Sequence, residues 1–231
     1  MRHIRTIFWK QIKDTLKNKS ILIQFIMIPA ISIVMENFIE IENMPEHYFS
    51  KLFAVMYIGM APLTSMASII SEEKEKNTLR VLRLSNVTAV EFFAGNALYV
   101  WSICMLGSFA IGYWGGYSSG VLIRFMIIMA VGHLISTMLG AAIGAFSKNQ
   151  MMSTGISIPV MIIFSFFPML SLFNESIEKI AKFFYSQQLN ILISNINNLK
   201  IGLDCIVIMC MNMLLIGAFF AFSYKKVFSR N

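Results

Sequence analysis

The densest cluster of ionisable side chains in this chain lies at residues 71–91, where four acids and four bases stand close together. The acids are Glu72, Glu73, Glu75 and Glu91, and the bases are Lys74, Lys76, Arg80 and Arg83. Apolar residues at positions 79, 81, 82 and 84 accompany them. The mixture predicts a short amphipathic helix whose charges pair with those of a protein partner. The alternative is a solvated turn with incidental acids.

Residue combinations that support catalysis are missing from the sequence. The three histidines are far apart and show no metal-ligand spacing, and the three cysteines lie in apolar segments without a CxxC pair. The Gly-Lys-Ser/Thr end of a phosphate-binding loop is also absent, so the chain is not expected to hydrolyse ATP by itself. We therefore predict a protein that is not an enzyme, with no catalytic residue and no bound metal.

Two features stand out inside apolar segments. His133 is either a functional ionisable group within the membrane or one partner of an interhelical hydrogen bond. We favour the hydrogen bond, because no carboxylate lies in the middle of an apolar segment to pair with it. Gly140 and Gly144 have the GxxxG spacing that allows two helices to pack closely.

The elements that carry these residues are predicted to be membrane-spanning helices. Of the 231 residues, 57% are hydrophobic and only 13% are charged, which is too little polar surface to cover a soluble core. Six apolar segments reach the ~20 residues that a spanning helix needs. They are residues 20–39, 52–71, 92–113, 121–146, 151–173 and 201–224. We predict an all-α integral membrane protein in which residues 20–231 form a single six-helix transmembrane domain.

The lysines and arginines flank the apolar segments, and their distribution predicts the orientation. With the N-terminus in the cytoplasm, 14 of the 19 lie on the cytoplasmic side, as the positive-inside rule requires. We thus predict a multi-pass protein of the cytoplasmic membrane with both termini inside the cell. These flanks account for the net charge of +7, and no basic patch has the layout of a nucleic-acid-binding surface.

Residues 1–19 form an element of their own before the first span. Apolar side chains recur at helical spacing, and basic side chains occupy much of the remaining surface. The apolar positions are Ile4, Ile7, Phe8, Ile12 and Leu16. The pattern predicts an amphipathic helix that lies in the inner membrane interface. Its interfacial residues would be Phe8, Trp9, Ile12 and Leu16. The alternative is a charged leader that only fixes the topology.

Residues 174–200 separate the fifth and sixth segments and contain apolar stretches that are too short to cross a membrane. Aromatic residues and isoleucines are more frequent here than a mobile outer loop would need. We predict short extracellular helices before the last span, which enter the membrane and return while packed against protein.

The run at residues 73–82, with positions 85 and 95 after it, resembles the signature of the ABC-2 family of ABC transporter permeases. Members typically carry an acidic-basic-acidic-basic-Gly-Thr-Leu run, a Leu, a Ser/Thr-Pro pair and a Gly-Lys pair that opens the next span. The matching residues are Glu73, Glu75, Thr78, Leu79, Leu82, Ser85 and Gly95. The N-terminal helix, the six spans and the outer helices extend the resemblance over the whole chain.

Three positions depart from that signature. Asn77, Asn86 and Asn96 replace the usual Gly, Pro and Lys. Loss of the proline restores a backbone N–H, so we expect the helix in this segment to end less abruptly than in other members.

The resemblance implies a type V exporter-like fold in which two permease subunits pair with two separate ABC ATPase subunits. Residues 72–91 would contain the coupling helix that rests in a groove of the ATPase. Its coupling residues would be Glu72, Glu73, Glu75, Thr78, Leu79, Leu82 and Arg83. This chain would hold no cofactor, whereas the ATPase would bind ATP and Mg. The second permease would be an identical copy or a homologue, surrounded by membrane lipids.

The function that follows from the resemblance is that of the permease subunit of an ATP-driven bacterial exporter. Segments without central charges suggest amphipathic peptides, such as antimicrobial peptides, or hydrophobic drugs as the cargo. Export of lipid or polysaccharide is the alternative within the family. A membrane assembly factor or receptor without transport and an ion-coupled carrier are the rivals outside it. Neither of these needs a mixed-charge helix for an ATPase, and a carrier usually needs buried acids.

Overall fold

The computed structural model describes residues 2–228 except 18, 40, 43, 79–81 and 83. These residues form helices and no strand, which confirms the predicted all-α fold. In chain order the helices are α1 (Arg2–Lys17), α2 (Lys19–Phe38), α3 (Tyr48–Glu75), α4 (Ala89–Trp114), α5 (Ser119–Phe146), α6 (Gln150–Leu170), α7 (Glu175–Ala181), α8 (Tyr185–Ser194) and α9 (Leu203–Phe228). A 3₁₀ turn, Ile196–Asn198, separates α8 from α9.

Six of these helices, α2 to α6 and α9, are long and apolar enough to cross a membrane. They correspond to the six predicted segments. The largest difference is in α3, which begins at Tyr48 and ends at Glu75 instead of covering residues 52–71. Hydropathy marks only the apolar part of a helix, whereas the run of glutamates and lysines after residue 71 continues the helix because these residues have high helix propensity.

Helices α3 and α5 form the centre of the bundle and are the most buried of the spans. Small residues let their backbones approach each other. Gly140 of α5 lies against the backbone of Leu63, and a Cβ at Gly144 would lie 2.8 Å from the carbonyl oxygen of Ala67. The close contact predicted from the GxxxG spacing is therefore present, and it joins the two central helices.

Helix α6 packs on a different face of α3 through serine hydroxyls. Ser153 Oγ donates to the carbonyl oxygen of Ala67 at 3.1 Å, and Ser165 Oγ donates to that of Met56 at 3.2 Å. A Cβ at Gly59 would lie 2.7 Å from the carbonyl carbon of Phe164. Helix α2 contacts α3 and α4, whereas α9 lies at the edge of the bundle against α5 and α8.

Helices α7 and α8 dip into the bundle and return. Tyr185, at the start of α8, is hydrogen bonded through its hydroxyl to Ser136 Oγ of α5 at 2.7 Å. Beyond the end of α8, the carbonyl oxygen of Ile196 accepts from Arg124 Nη1 of α5 at 3.3 Å. Ser136 lies roughly 18 Å along α5 from Arg124, at 1.5 Å per residue. This geometry supports the predicted re-entrant arrangement.

His133 makes the interhelical hydrogen bond that its position suggested. Its Nε2 atom lies 2.6 Å from Ser108 Oγ of α4. Its ring also meets the ring of Tyr57 of α3 edge to face, with centroids 5.4 Å apart. The residue thus joins α3, α4 and α5 at the centre of the bundle, as a polar packing contact inside the membrane.

Candidate functional site

The mixed-charge segment divides between two structural elements. Glu72, Glu73 and Glu75 lie in the last turns of α3, so the first acids extend a spanning helix and do not belong to a separate one. Between the end of α3 and the turn at Ser85, three of the described residues have helical backbone. They are Thr78, Leu82 and Leu84. Two further residues of the predicted coupling set, Leu79 and Arg83, lie outside the described residues.

Glu73 joins α3 to the N-terminal helix. Its carboxylate forms an ion pair with the ammonium group of Lys10 of α1. The Glu73 side chain is only 10% exposed, whereas that of Lys10 is 41% exposed. The second carboxylate oxygen, Oε2, is buried and has no hydrogen-bond partner among the described residues. Lys10 therefore supplies the charge that stabilises an otherwise buried carboxylate.

The next two charged residues hold the connection between α5 and α6. Lys74 Nζ donates to the carbonyl oxygens of Ala145, at 2.6 Å, and Ser147, so it satisfies carbonyls at the C-terminus of α5. Glu75 Oε2 accepts from the backbone N–H of Gln150 at 2.8 Å, at the N-terminus of α6. Each charge has the sign that its helix dipole favours. Together they fix the C-terminal end of α5 and the N-terminal end of α6 to the C-terminal end of α3.

Glu72 and Lys76 form a more exposed pair. Lys76 Nζ lies 2.5 Å from Glu72 Oε1, one helical turn away. The hydrogen bond and the negative charge of Glu72 raise the pKa of Lys76. Because both side chains reach water, this pair contributes little to stability. It lines a cleft of about 450 Å³ between α1 and the C-terminal end of α3, which Asp14 and Lys17 also line.

Two asparagines set the turns on either side of the helical segment. Asn77 has φ = 56° and Asn86 has φ = 59°, both in the left-handed region. Asn77 therefore adopts a conformation that the usual glycine would also tolerate, and asparagine is among the residues that tolerate it best. Proline at position 86 would be incompatible with this φ.

A hydrogen bond closes the helical segment at Asn86. The backbone N–H of Val87 donates to the carbonyl oxygen of Leu82 at 3.0 Å. Such a six-to-one hydrogen bond around a left-handed residue is a common way for a helix to end. Whether this end is less abrupt than in other members stays a prediction.

The residues around this turn form an exposed tip, defined here as residues 84–90. Leu84 is 81% exposed and Val90 is 70% exposed, and the turn residues Ser85 and Asn86 are exposed between them. Among the described residues of the segment, Glu73, Lys74 and Glu75 make contacts within the chain, whereas the tip is exposed. The tip is therefore accessible to a partner.

A capping box fixes the start of α4 at the end of the tip. Thr88 Oγ1 accepts from the backbone N–H of Glu91 at 3.2 Å, and Glu91 Oε2 accepts from the backbone N–H of Thr88 at 3.0 Å. The two reciprocal bonds satisfy N–H groups that the first turn of a helix leaves free. They fix the direction in which the chain enters α4 from the tip.

We expect Thr88→Ala to lower the free energy of unfolding by about 1 kcal/mol, because it removes the side-chain cap. The measurement is denaturant unfolding in mixed detergent micelles. Thr88→Ser is the matched control, since its hydroxyl can cap the same N–H and should leave stability near that of the wild type. Equal losses in both variants would contradict a role for this cap.

Helix α1 packs tightly on α4 at a glycine. Gly95, one of the signature positions, lies under α1, and a Cβ there would be 2.9 Å from Ile7 Cβ. Farther along, the Thr15 hydroxyl is hydrogen bonded to the hydroxyl of Tyr99. Ile7, Gln11 and Thr15 are buried at successive turns of the same face. The glycine is thus required for the close approach of the N-terminal helix.

The predicted apolar face of α1 divides into two parts. Ile7 is buried against the protein and Phe8 and Ile12 are half-buried, whereas Trp9 and Leu16 are 52% and 69% exposed. On a helical wheel Trp9 and Leu16 are adjacent, which gives an exposed apolar strip suited to the lipid interface. The interfacial placement of Trp9 and Leu16 stays a prediction. The buried face of α1 includes the polar residue Gln11, which the periodicity of apolar residues did not indicate.

Sequence reasoning did not find Lys10 and Gln150 as partners of the acidic cluster. Lys10 was one of several basic residues on α1, and Gln150 was part of a short connection. No local signal distinguishes them, because each meets its acid only when α3 lies between α1 and α6. The charge pattern could show that the acids need partners, but not which residues supply them.

The chain is similar to a known protein family. The profile of the ABC-2 type transporter family matches residues 2–186, which include α1, the charged C-terminal end of α3, and the spans up to the start of α8. No curated protein matches the chain.

Proposed function

This chain belongs to the ABC-2 type transporter family and is a membrane-spanning permease subunit of an ABC transporter, and we propose that it works as an exporter of amphipathic peptides or hydrophobic drugs. In this proposal two permeases pair with two ATPase subunits that bind ATP and Mg and hydrolyse the nucleotide. The N- and C-termini and the tip at residues 84–90 lie on the cytoplasmic side of the cell membrane.

The observation that carries the proposal is the contrast between a fixed inner end and an exposed tip. Ion pairs and charge-assisted hydrogen bonds from Glu73, Lys74 and Glu75 connect α3 to α1, α5 and α6. Leu84 lies immediately before the turn that follows this region and Val90 in the first turn of α4, and both remain exposed. A partner bound at the tip would therefore act on several connected helices at once.

Closure of the ATPases on ATP would move the tip, and the connected inner ends would move with it. For transport to follow, the cargo must bind the inward- and outward-facing states with different affinities. The rigid connection at the inner end supports this mechanism, because a flexible loop would absorb the motion of the partner without transmitting it.

The cargo path would lie between the two permeases, along α3 and α6. On α3, Met56, Met60 and Thr64 are half-buried at four-residue intervals, and on α6 Ile158 and Ile162 are exposed. These residues are uncharged and mostly apolar, which suits an amphipathic or lipid-like cargo. Export of lipid or polysaccharide is the alternative within the same fold.

The rival functions outside the family do not use the connected charges. An ion-coupled carrier would need an ionisable group on its pathway, whereas the acids at the inner end of α3 are engaged in contacts between helices. A receptor or assembly factor could bind a partner at the tip, but its function would not require that partner to hydrolyse ATP. Co-purification with a soluble ATPase would distinguish the proposed function from both.

We expect Leu84→Asp to weaken binding of the partner ATPase by roughly tenfold or more, because burial of a leucine contributes ~1.5–3 kcal/mol. The measurement is the affinity of the ATPase for the full chain in lipid nanodiscs. Leu172→Asp is the matched control, since Leu172 is also exposed but lies in the turn after α6, at the opposite end of the bundle. Equal effects of the two substitutions, or none of either, would contradict ATPase binding at the tip.

The same nanodiscs allow the cargo to be tested, and inside-out vesicles allow the direction of transport to be tested. Candidate peptides, drugs and lipids are screened for stimulation of ATP hydrolysis, and a stimulating compound is then followed in inside-out vesicles. Export from the cell corresponds to ATP-dependent accumulation in the vesicle lumen. Stimulation only by lipid or polysaccharide would favour the alternative cargo, and loss of compound from loaded vesicles would contradict export.

A further inference from the structure

An apolar groove runs between α5, α8 and α9 at the edge of the bundle. Its volume is about 390 Å³. The walls are aliphatic side chains and thioethers, including Val131, Leu192 and Met209. On α9 the lining residues run from Cys205 to Met213, which is about 12 Å at 1.5 Å per residue. This length covers most of the ~15 Å hydrocarbon depth of one membrane leaflet.

A polar pocket of about 740 Å³ adjoins one end of this groove. Arg124 and Leu199 line both cavities, so the two are continuous. The other residues of the polar pocket are Asn197, Asn198 and Lys200. The pocket therefore contains two cationic groups and two amides but no acid. Asp204 follows shortly in sequence and lines neither cavity.

The cations in this pocket retain capacity to bind an anion. Arg124 donates to the carbonyl oxygens of Ile196 and Asn197, at 3.3 and 3.2 Å, and both bonds use Nη1. These contacts hold the guanidinium at the pocket while its Nη2 and Nε groups make no bond to another described residue. Lys200 is exposed and forms no ion pair within the described part of the chain. Guanidinium and ammonium groups are the usual protein partners of phosphate.

We propose that this groove and pocket form a binding site for one anionic phospholipid. The phosphate lies between Arg124 and Lys200, and an acyl chain occupies the groove beside Val131 and Met209. The charge of the pocket selects an anionic head group, and the continuous apolar groove beside it selects a lipid over a soluble phosphate. The site lies on α5, α8 and α9, apart from the tip and from the proposed cargo path, and it does not depend on the proposed direction of transport.

The test compares two lipids with identical acyl chains, palmitoyl-oleoyl phosphatidylglycerol and palmitoyl-oleoyl phosphatidylcholine. Their binding to the purified full chain is measured by native mass spectrometry. The wild type is expected to prefer phosphatidylglycerol, and Lys200→Ala should weaken its binding roughly fivefold, given ~1 kcal/mol for each basic residue near a membrane surface. Lys179→Ala is the charge-matched control, because Lys179 is exposed in α7 and lines neither cavity. It should leave the preference unchanged.

The groove is tested separately with Val131→Trp, which fills it without altering charge. This variant should weaken the binding of both lipids, and inorganic phosphate should not displace phosphatidylglycerol. Equal binding of the two lipids by the wild type would overturn the proposal, as would equal effects of Lys200→Ala and Lys179→Ala. Displacement by inorganic phosphate, together with no effect of Val131→Trp, would show an anion site without a lipid and would also overturn it.

Discussion

Gly140→Leu is expected to lower the free energy of unfolding by about 3 kcal/mol, at the upper end of the usual range for overpacked cores. Gly140 lies against the backbone of Leu63, so an added side chain meets backbone atoms that cannot rotate away. The two central helices would have to separate, and both contact most of the other spans. The loss should therefore appear as destabilisation of the whole bundle.

Denaturant unfolding in mixed micelles, followed by circular dichroism and size-exclusion chromatography, measures this effect. Gly217→Leu is the matched control, because Gly217 lies in the peripheral helix α9 and a Cβ there would meet nothing within 4 Å. The control should change stability by less than ~0.5 kcal/mol, as is usual for substitutions without new contacts. Similar losses in the two variants would show that the α3–α5 contact does not limit stability.

Lys10→Ala is expected to destabilise the protein more than Glu73→Gln, although both remove the same ion pair. Loss of Lys10 leaves a carboxylate that is 10% exposed without its cationic partner, which we expect to cost about 3 kcal/mol. Loss of the Glu73 charge leaves a lysine that is 41% exposed and can turn toward water, which should cost about 1 kcal/mol or less. The asymmetry follows from the unequal burial of the two groups.

The double variant Lys10→Met/Glu73→Met separates charge from packing. It should recover most of the stability lost in Lys10→Ala, since replacing a buried pair by apolar groups of similar size is often neutral. If the ion pair also transmits motion, Lys10→Ala should reduce the stimulation of ATP hydrolysis by cargo in nanodiscs. Equal destabilisation by Lys10→Ala and Glu73→Gln would contradict the assigned burial of the carboxylate.

Much of the fold could be predicted because membrane-spanning helices are specified locally. A run of ~20 apolar residues is sufficient to identify a span, and all six spanning helices were located by that rule without reference to any tertiary contact. The extension of α3 to Glu75 was missed because its last turns are charged and therefore invisible to hydropathy. The GxxxG spacing predicted that Gly140 lies in a close helix contact. It did not predict which helix is the partner.

The candidate site was less predictable from the sequence than the fold was. The sequence indicated that residues 72–91 face a partner, yet Glu73 and Glu75 are occupied with Lys10 and with the backbone of Gln150. These partners are distant in sequence and meet only through the order in which helices pack around α3. Those contacts decide which residues of the segment stay exposed. Leu84 could therefore be recognised as an exposed residue of the tip only from the structure.

By itself the sequence determined that the chain crosses a membrane six times, that His133 needs a polar neighbour, and that four acids stand where topology requires only bases. These conclusions depend on composition and short-range spacing, which can be read directly from the amino-acid sequence. The tertiary structure decided how the charged segment is used: Glu73 connects α3 to α1, and Glu75 connects it to α6. Hydrogen bonds and ion pairs act over a few ångströms, so their partners are fixed only after distant helices have packed together.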